Sequence, residues 1–95
     1  MKLILLVVDA ARLDAVRADL AGLGASGYTA IPVSEGAGRT GLHTGDRVHP
    51  GALEVVLVVE SDERASHLFD EMVRRSAAAM DRTSRFFLLP VERQA

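Results

Sequence analysis

The residues best suited to chemistry lie in one glycine-rich segment, residues 34–52, which holds five of the eight glycines and two of the three histidines. Its first part, residues 36–41, reads Gly-Ala-Gly-Arg-Thr-Gly. Glycines at this spacing let consecutive backbone N–H groups turn toward an anion, and Arg39 and Thr40 can add a positive charge and a hydroxyl. We therefore predict an anion-binding segment. A flexible, solvated loop without a ligand is the alternative.

The same six residues match the G-x-G-x-x-G pattern of dinucleotide-binding folds and follow a predicted strand. That fingerprint has to open a helix whose N-terminus receives the pyrophosphate. No helix is expected here because glycine and proline recur through the segment, at Gly41, Gly45, Pro50 and Gly51. The Gly-Lys-Ser/Thr sequence of a Walker loop is also absent. The pattern predicts backbone contacts to an anion, and it does not predict a dinucleotide-binding fold.

Two histidines in the segment suggest a second kind of site. His43 and His49 are six residues apart, with Glu35 and Asp46 as additional oxygen donors. Neutral imidazole and carboxylate groups bind transition metals, and three copies of the segment could converge in a trimer. Two histidines on a flexible glycine-rich loop are more often simply solvated, so metal binding is an alternative hypothesis.

The composition excludes several other classes. The 11 basic and 13 acidic residues are scattered and give a net charge of −2, so no basic stripe for nucleic acid is present. Without cysteine, disulfides, thiolate catalysis and Cys-based zinc sites are excluded, and a reducing cytoplasm fits best. No apolar run approaches the roughly 20 residues that cross a bilayer. No Ser-His-Asp arrangement with a strand-to-helix elbow exists, so no enzymatic activity is expected.

The elements that position the segment follow from hydrophobic periodicity. Apolar runs predict four strands, at residues 3–8, 28–33, 53–59 and 86–91. Helical spacing of apolar residues predicts a helix of about four turns after Asp9 and a second helix after Ser61. Two strand–helix–strand units in this order predict an α+β fold of the ferredoxin-like βαββαβ type, an antiparallel four-stranded sheet with both helices on one face. We expect one domain over residues 1–95, with residues 34–52 as a long connection.

The sheet of such a fold has one face without helices. The predicted strands are too apolar to leave that face in water, because large exposed apolar patches usually mark an interaction site. We therefore expect the uncovered face to be buried in a homo-oligomer.

Residues 1–41 resemble the PII signalling family. The Lys-Leu-Asp-x-Val-Arg pattern of the family's first helix is similar to Arg-Leu-Asp-Ala-Val-Arg at residues 12–17. The family's Gly-Met-Thr resembles Gly-Tyr-Thr at residues 27–29, and its Gly-x-Gly-Arg-Gln-Lys-Gly resembles residues 36–41, which are one residue shorter. The second half of the chain matches in pattern more than in identity.

The resemblance implies a homotrimer with nucleotide-binding clefts between subunits and a projecting T-loop. In such proteins the loop docks onto a transporter, an enzyme or a regulator. The ligand reorganises the loop and so changes which partner protein it binds. On this basis the candidate partner-binding residues are Leu42, His43, Arg47 and His49. An adenine nucleotide is the expected effector ligand, and no tightly bound cofactor is expected.

This chain departs from the PII pattern at two places near the ligand. Thr40 replaces the glutamine that helps to organise magnesium and the phosphates, which leaves the need for magnesium open. The phosphate-gripping Gly-rich segment before the last strand is replaced by residues 81–87, which lack glycine but place Arg85 at the position of the family's lysine. The candidate ligand-binding residues are therefore Gly36, Gly38, Arg39, Thr40, Gly41 and Arg85.

Taken together, these observations predict a non-enzymatic, PII-like regulatory protein of the nitrogen-regulator type. It would bind a small effector at inter-subunit clefts and regulate a partner protein through its loop. The alternative is a divalent-metal-binding protein like the trimeric ferredoxin-like families linked to metal tolerance, with His43 and His49 as ligands. A protein-interaction module without any small ligand is the third possibility.

Overall fold

The computed structural model describes residues 1–38, 41–44 and 52–95, with the backbone alone at residues 38 and 41–44. The chain begins with strand β1 (Lys2–Asp9), a 3-10 turn (Ala10–Arg12), helix α1 (Leu13–Gly22) and strand β2 (Thr29–Pro32). It continues with the short strands β3 (Glu35–Gly38) and β4 (Gly41–Thr44), and ends with β5 (Leu53–Glu60), α2 (Asp62–Ala78) and β6 (Arg85–Pro90). Neither described helix is long and apolar enough to cross a membrane.

Four of the strands form one antiparallel sheet in the order β2-β5-β1-β6. The two long strands, β1 and β5, lie at the centre, and the shorter β2 and β6 form the edges. This is the order of a ferredoxin-like βαββαβ fold, so the predicted fold class is confirmed.

The core lies between the sheet and the two helices. Successive side chains of a strand point to opposite faces of the sheet, so every second residue of β1 and β5 faces the helices. The fully buried ones include Ile4, Leu6, Val8, Val56 and Val58. The helices contribute one apolar stripe each, formed by Val16 and Leu20 of α1 and by Ala65, Leu68 and Met72 of α2. One continuous apolar layer therefore joins both halves of the chain.

Helix α2 begins at its predicted cap, whereas α1 starts later than expected and is shorter than the predicted four turns. Asp9 accepts a hydrogen bond from the N–H of Ala11 at 2.9 Å and so caps a 3-10 turn, and α1 proper begins only at Leu13 with 10 residues. Ser61 caps α2 by accepting a bond from the N–H of Arg64 at 3.4 Å. Acidic residues in the first turn of α2 add a favourable interaction with the helix dipole.

The two described helices lie on one face of the sheet, and the opposite face is apolar. The register aligns three rows of side chains on this face, namely Thr29–Leu57–Leu5–Phe87, Ile31–Val55–Val7–Arg85 and Val59–Leu3–Leu89. Four of these apolar side chains are exposed in the single chain, Ile31, Val59, Phe87 and Leu89. We call these three rows the open face.

The long connection contains secondary structure that the sequence did not predict. β3 and β4 pair antiparallel, with Glu35 opposite Thr44 and Gly38 opposite Gly41. At the base of the connection, the N–H of Val33 donates to the carbonyl of Leu53 at 3.0 Å. An extended β-ribbon therefore stands where a structureless glycine-rich loop was expected, because the glycines at 36 and 38 accept strand geometry as readily as turn geometry.

Candidate functional site

One end of the sheet collects most of the candidate residues. β2 and β1 end there, and β5 and β6 begin there, since neighbouring strands run antiparallel. The β3–β4 ribbon leaves the sheet at this end between β2 and β5, and Arg85 opens β6 at the same end. The fold thus places the predicted anion-binding segment and the predicted phosphate-binding arginine at one end of one sheet.

Arg85 is an exposed cation on the open face. It lies in the row of Val7, Val55 and Ile31, and its Nη1 donates to the backbone carbonyls of Ser84 at 3.1 Å and Arg82 at 3.4 Å. Among the described residues no carboxylate forms an ion pair with it. A guanidinium without a carboxylate partner, beside an apolar surface, is suited to binding an external anion.

The turn that precedes β6 is organised by Asp81. Its Oδ1 accepts bonds from the N–H groups of Thr83 at 3.0 Å and Ser84 at 3.2 Å, and its Oδ2 accepts bonds from the hydroxyls of Ser76, at 3.3 Å, and Ser84. The Nε of Arg12 approaches Oδ2 to 3.4 Å. Burial raises the pKa of Asp81, but the hydrogen bonds from Ser84 and Thr83 and the charge of Arg12 together lower it below its usual range.

Glu54 is a buried charged residue at the same end, and sequence reasoning missed it. It lies on the helix-facing side of β5, opposite Val8 of β1 and Pro32 of β2, and only 3% of it is exposed. It is the second residue of β5. The signal was present in the sequence, because a single glutamate interrupts an otherwise apolar strand at an inward position.

A shallow cleft of about 330 Å³ opens at the diagonally opposite corner of the open face. Its floor is apolar, and its wall is the segment that leads into β2, including Ser26, Tyr28 and Thr29. Glu60 holds this wall, accepting bonds from the N–H of Ser26 at 2.7 Å and from its hydroxyl at 2.8 Å. In the sequence, residues 27–29 stand out only through the family resemblance. Their local pattern is that of an ordinary turn and does not predict a cleft.

Arg64 completes the support behind this wall. Its Nε lies 3.3 Å from Glu60 Oε1, and its Nη2 donates to the carbonyl of Gly24. With Leu23, Glu63, His67 and Leu68 it also lines a groove of about 300 Å³ between the helices. His67 is exposed on α2.

The structure describes only part of the predicted site. Gly36, Gly38, Gly41, Leu42 and His43 lie in the ribbon, with Gly36 opposite His43 and Gly38 opposite Gly41. Arg39, Thr40, Arg47 and His49 lie outside the described residues. Within the described ranges no group of three or more His, Asp or Glu side chains is arranged to hold a metal ion. The side chain of His43 and the whole of His49 lie outside the described residues, so metal binding by this pair stays a prediction.

Comparison with known proteins assigns the family. The sequence profile of the nitrogen regulatory protein P-II family matches residues 1–94. The chain belongs to the P-II family. The family resemblance seen in the sequence is thereby confirmed, and it extends over almost the whole chain. The residues that first indicated it lie mainly in the first half of the chain. No curated protein is similar enough in sequence to match this P-II protein.

Solved structures share the fold at low identity. One of them is CPII, a nitrogen regulatory PII-like protein from Thiomonas intermedia, in a structure bound to ADP, AMP and bicarbonate. It superposes on this chain with a TM-score of 0.73 at 19% sequence identity, and the match covers 92% of this chain and 81% of CPII. A second CPII structure, with ADP and bicarbonate, gives a TM-score of 0.72 at 18% identity over the same shares. A DUF3240 family protein from Shewanella baltica gives 0.73 at 14% identity, covering 99% of this chain and 92% of the other. At these identities the likeness establishes the fold.

Proposed function

We propose that this P-II protein is a non-enzymatic regulator of the nitrogen-regulator type that works as a cytoplasmic homotrimer. It binds a small anionic effector, an adenine nucleotide, in clefts between subunits, and it regulates a target protein through residues 34–52. The observation that carries the proposal is the exposed guanidinium of Arg85, which has no carboxylate partner among the described residues and lies at the end of the sheet from which the ribbon extends. Gly36, Gly38, Arg39, Thr40 and Gly41 are the proposed ligand contacts from the ribbon segment.

The placement of the ligand between subunits is supported by the topology. Arg85 lies on β6 and Thr29 on β2, and these strands are opposite edges of the sheet. One subunit therefore does not bring the arginine and the cleft near Tyr28 to the same small ligand. Neighbouring subunits packed through their open faces would join two such edges, and burial of apolar side chains would stabilise that assembly.

The choice of an adenine nucleotide is supported by family membership and by the ligands of the structural neighbour. CPII is bound to ADP, AMP and bicarbonate, and it shares the fold of this chain. These three compounds are the first ligands to test.

The proposed route to a target protein is the β3–β4 ribbon. It forms a sheet of its own, separate from the four-stranded sheet. The proposed partner contacts are Leu42 and His43 of β4 and, further along residues 34–52, Arg47 and His49. A transporter, an enzyme or a regulator is the proposed target. An effector held at Arg39 and Thr40, which follow β3 and precede β4 in the chain, would act on β4, the strand that carries Leu42 and His43.

Calorimetric titration with ADP, AMP and bicarbonate tests the ligand. We expect saturable binding of a nucleotide to the wild-type protein and at least about tenfold weaker binding by Arg39→Ala and Arg85→Ala, since each loses a charge-assisted hydrogen bond. Arg17→Ala is the matched control because Arg17 is an exposed arginine on α1 that pairs with Asp14. A flat titration of the wild-type protein with all three compounds would contradict the proposal.

A further inference from the structure

The cleft at the β2 end of the open face has a wall, residues 26–28, that the backbone ladder does not hold. Just before the wall, the N–H of Ala25 donates to the carbonyl of Leu20 at 3.0 Å and closes α1. Just after it, Thr29 begins β2, which pairs with β5. Between these two anchors, no hydrogen bond between backbone groups of the described residues involves residues 26–28.

Packing within the single chain also adds little to this wall. Gly27 has no side chain, and a Cβ at its position would meet no described atom within 4 Å beyond its chain neighbours. Its φ lies outside the left-handed region, so the backbone conformation does not require glycine there. Tyr28 is 45% exposed. A segment with so few contacts would lose conformational entropy on being ordered, so it needs another support.

Glu60 provides that support through two hydrogen bonds to one residue of the wall. Its Oε2 accepts from the N–H of Ser26 at 2.7 Å and from the Ser26 hydroxyl at 2.8 Å. Its Oε1 lies 3.3 Å from Nε of Arg64, whose Nη2 donates to the carbonyl of Gly24. Bonds to an ionised acceptor are stronger than neutral ones, and Glu60 is only 7% exposed, so water weakens them little.

The position of Glu60 leaves the cleft itself free. Glu60 ends β5 directly after Val59, which lines the cleft. Successive side chains of a strand point to opposite faces, so Val59 faces the cleft and Glu60 faces the side of the helices. The carboxylate therefore holds the wall from behind, at the end of the sheet away from Arg85.

We propose that Glu60 is a positioning residue for the effector: through Ser26, and supported by Arg64, it holds residues 26–28 so that the cleft is formed before a ligand arrives. The inference rests on the proposed function, because it concerns the same cleft. Without this tie the wall would have to be ordered at the moment of binding, and the ligand would bind more weakly.

Tyr28 gives a direct measurement of the wall, because it is the only tyrosine of the chain and tryptophan is absent. Time-resolved anisotropy of its fluorescence therefore reports on this segment alone. In Glu60→Ala we expect the amplitude of nanosecond local motion to rise about twofold over the wild-type protein. Ser26→Ala keeps the bond from its N–H and should give a smaller rise. An unchanged amplitude in Glu60→Ala would overturn the proposal.

Asp19→Ala is the matched control for this measurement. Asp19 is also a carboxylate bonded to an arginine of α2, Arg75 Nη1 at 2.8 Å, but this pair joins the two helices. Its loss should lower the melting temperature and leave the anisotropy of Tyr28 unchanged, with every protein measured well below its melting temperature. An equal rise in Asp19→Ala and Glu60→Ala would mean a general loosening of the fold and would overturn the proposal.

Calorimetric titration with AMP tests the consequence for binding. Glu60→Ala should bind AMP about tenfold more weakly than the wild-type protein, and Asp19→Ala should bind it within about threefold. Glu60→Gln keeps an oxygen that can accept from Ser26, so it should recover most of the loss seen in Glu60→Ala. Equal AMP affinities of the wild-type protein and Glu60→Ala would overturn the proposal.

The two measurements separate this inference from the proposed function. If the wild-type protein binds neither AMP, ADP nor bicarbonate, the proposed function fails, and the anisotropy of Tyr28 alone decides whether Glu60 positions the wall. Should Glu60→Ala fail to fold, Arg64→Ala provides the comparison, since the Arg64 side chain is 51% exposed and its removal frees both Glu60 Oε1 and Gly24. Its anisotropy amplitude should also rise, and an amplitude equal to that of the wild-type protein would count against the tie.

Discussion

At the scale of single residues, the structure depends on two carboxylates that each join distant parts of the chain. Asp81 links Arg12 to the turn before β6, and Glu60 links Ser26 to Arg64. Glu60 is 7% exposed. The hydrogen bond from the backbone N–H of Ser26 is the largest cause that lowers the pKa of Glu60, burial opposes it, and the Ser26 hydroxyl and Arg64 lower it further.

The lowered pKa of Glu60 predicts a specific dependence of stability on pH. The Glu60 carboxylate binds a proton less tightly in the folded state than in the unfolded state. Its contribution to the free energy of unfolding is therefore complete above the pKa that Glu60 has in the unfolded state. The contribution is lost as the pH falls through the pKa that Glu60 has in the folded state. We expect Glu60→Gln to lower the free energy of unfolding by about 1–3 kcal/mol at pH 7. The difference from wild type should shrink between about pH 5 and about pH 3.

Urea unfolding of both proteins at several pH values measures this effect. Asp14→Asn is the control, because Asp14 is an exposed carboxylate paired with Arg17 on one helix, and such pairs contribute about 0–1 kcal/mol. A difference between wild type and Glu60→Gln that stays constant from pH 7 to pH 3 would rule out the assigned role of Glu60.

At the scale of the elements, both helices end in the same way but with different residues. After α1, Gly24 has φ 77°, and the N–H of Ala25 donates to the carbonyl of Leu20 at 3.0 Å. After α2, Met80 has φ 57°, and the N–H of Asp81 donates to the carbonyl of Ser76 at 3.0 Å. This is the Schellman arrangement, in which a left-handed residue closes the helix and glycine is preferred. Met80 therefore carries backbone strain that Gly24 does not.

This difference predicts that replacing Met80 by glycine and replacing Gly24 by alanine change the free energy of unfolding in opposite directions. Met80→Gly should raise the free energy of unfolding by about 0.5–1 kcal/mol, because it relieves the strain and Met80 is 76% exposed, so little packing is lost. Gly24→Ala should lower it by about 1 kcal/mol. The new Cβ would lie 3.7 Å from Arg64 Nη2, an ordinary contact, so the cost is conformational.

Chemical unfolding measures these changes, and Gly22→Ala is the control. Gly22 ends α1, and a Cβ there meets nothing within 4 Å. Alanine should therefore stabilise this position by about 0.5–1 kcal/mol. Loss of stability in Met80→Gly would contradict the assignment of strain to that residue.

At the scale of the whole molecule, the open face is the surface through which the proposed homotrimer assembles. Its apolar side chains run across all four strands of the sheet, and Phe87 and Leu89 are 49% and 41% exposed in the single chain. A contiguous apolar surface of this kind marks an interaction site. A homotrimer packed through this face would bury it, and we propose that the β2 edge of one subunit then meets the β6 edge of the next.

Measurement of the molar mass by light scattering tests the assembly. We expect three times the mass of the chain for the wild-type protein and a shift toward monomer for Val59→Glu, because a carboxylate would be buried without a partner in the interface. Val73→Glu is a closely matched control, since Val73 is 38% exposed and Val59 is 37% exposed, but Val73 lies on α2. A monomeric wild-type protein would contradict the trimer and the clefts between subunits.

The sequence alone determined the elements and the fold, for a local physical reason. Periods of two and of about 3.6 residues fix which side chains face the core, so the four strands of the sheet and both helices were predictable from residues close together in the chain. The predicted start of α1 was wrong, because the Asp9 carboxylate accepts a hydrogen bond from the N–H of Ala11 and the chain forms a 3-10 turn there before α1 begins. The β3–β4 ribbon was missed because glycine gives no hydrophobic pattern.

Only the tertiary structure decided how the candidate site is built. Arg12 and Asp81 are far apart in sequence, as are Ser26 and Glu60, and no local pattern specifies such hydrogen bonds before the sheet has formed. The residue types at positions 36–41 and 85 suggested anion binding, and the fold brought the ribbon and Arg85 to one end of the sheet. It also showed that Asp81 accepts hydrogen bonds from the N–H groups of Thr83 and Ser84, which depends on the exact path of the turn before β6.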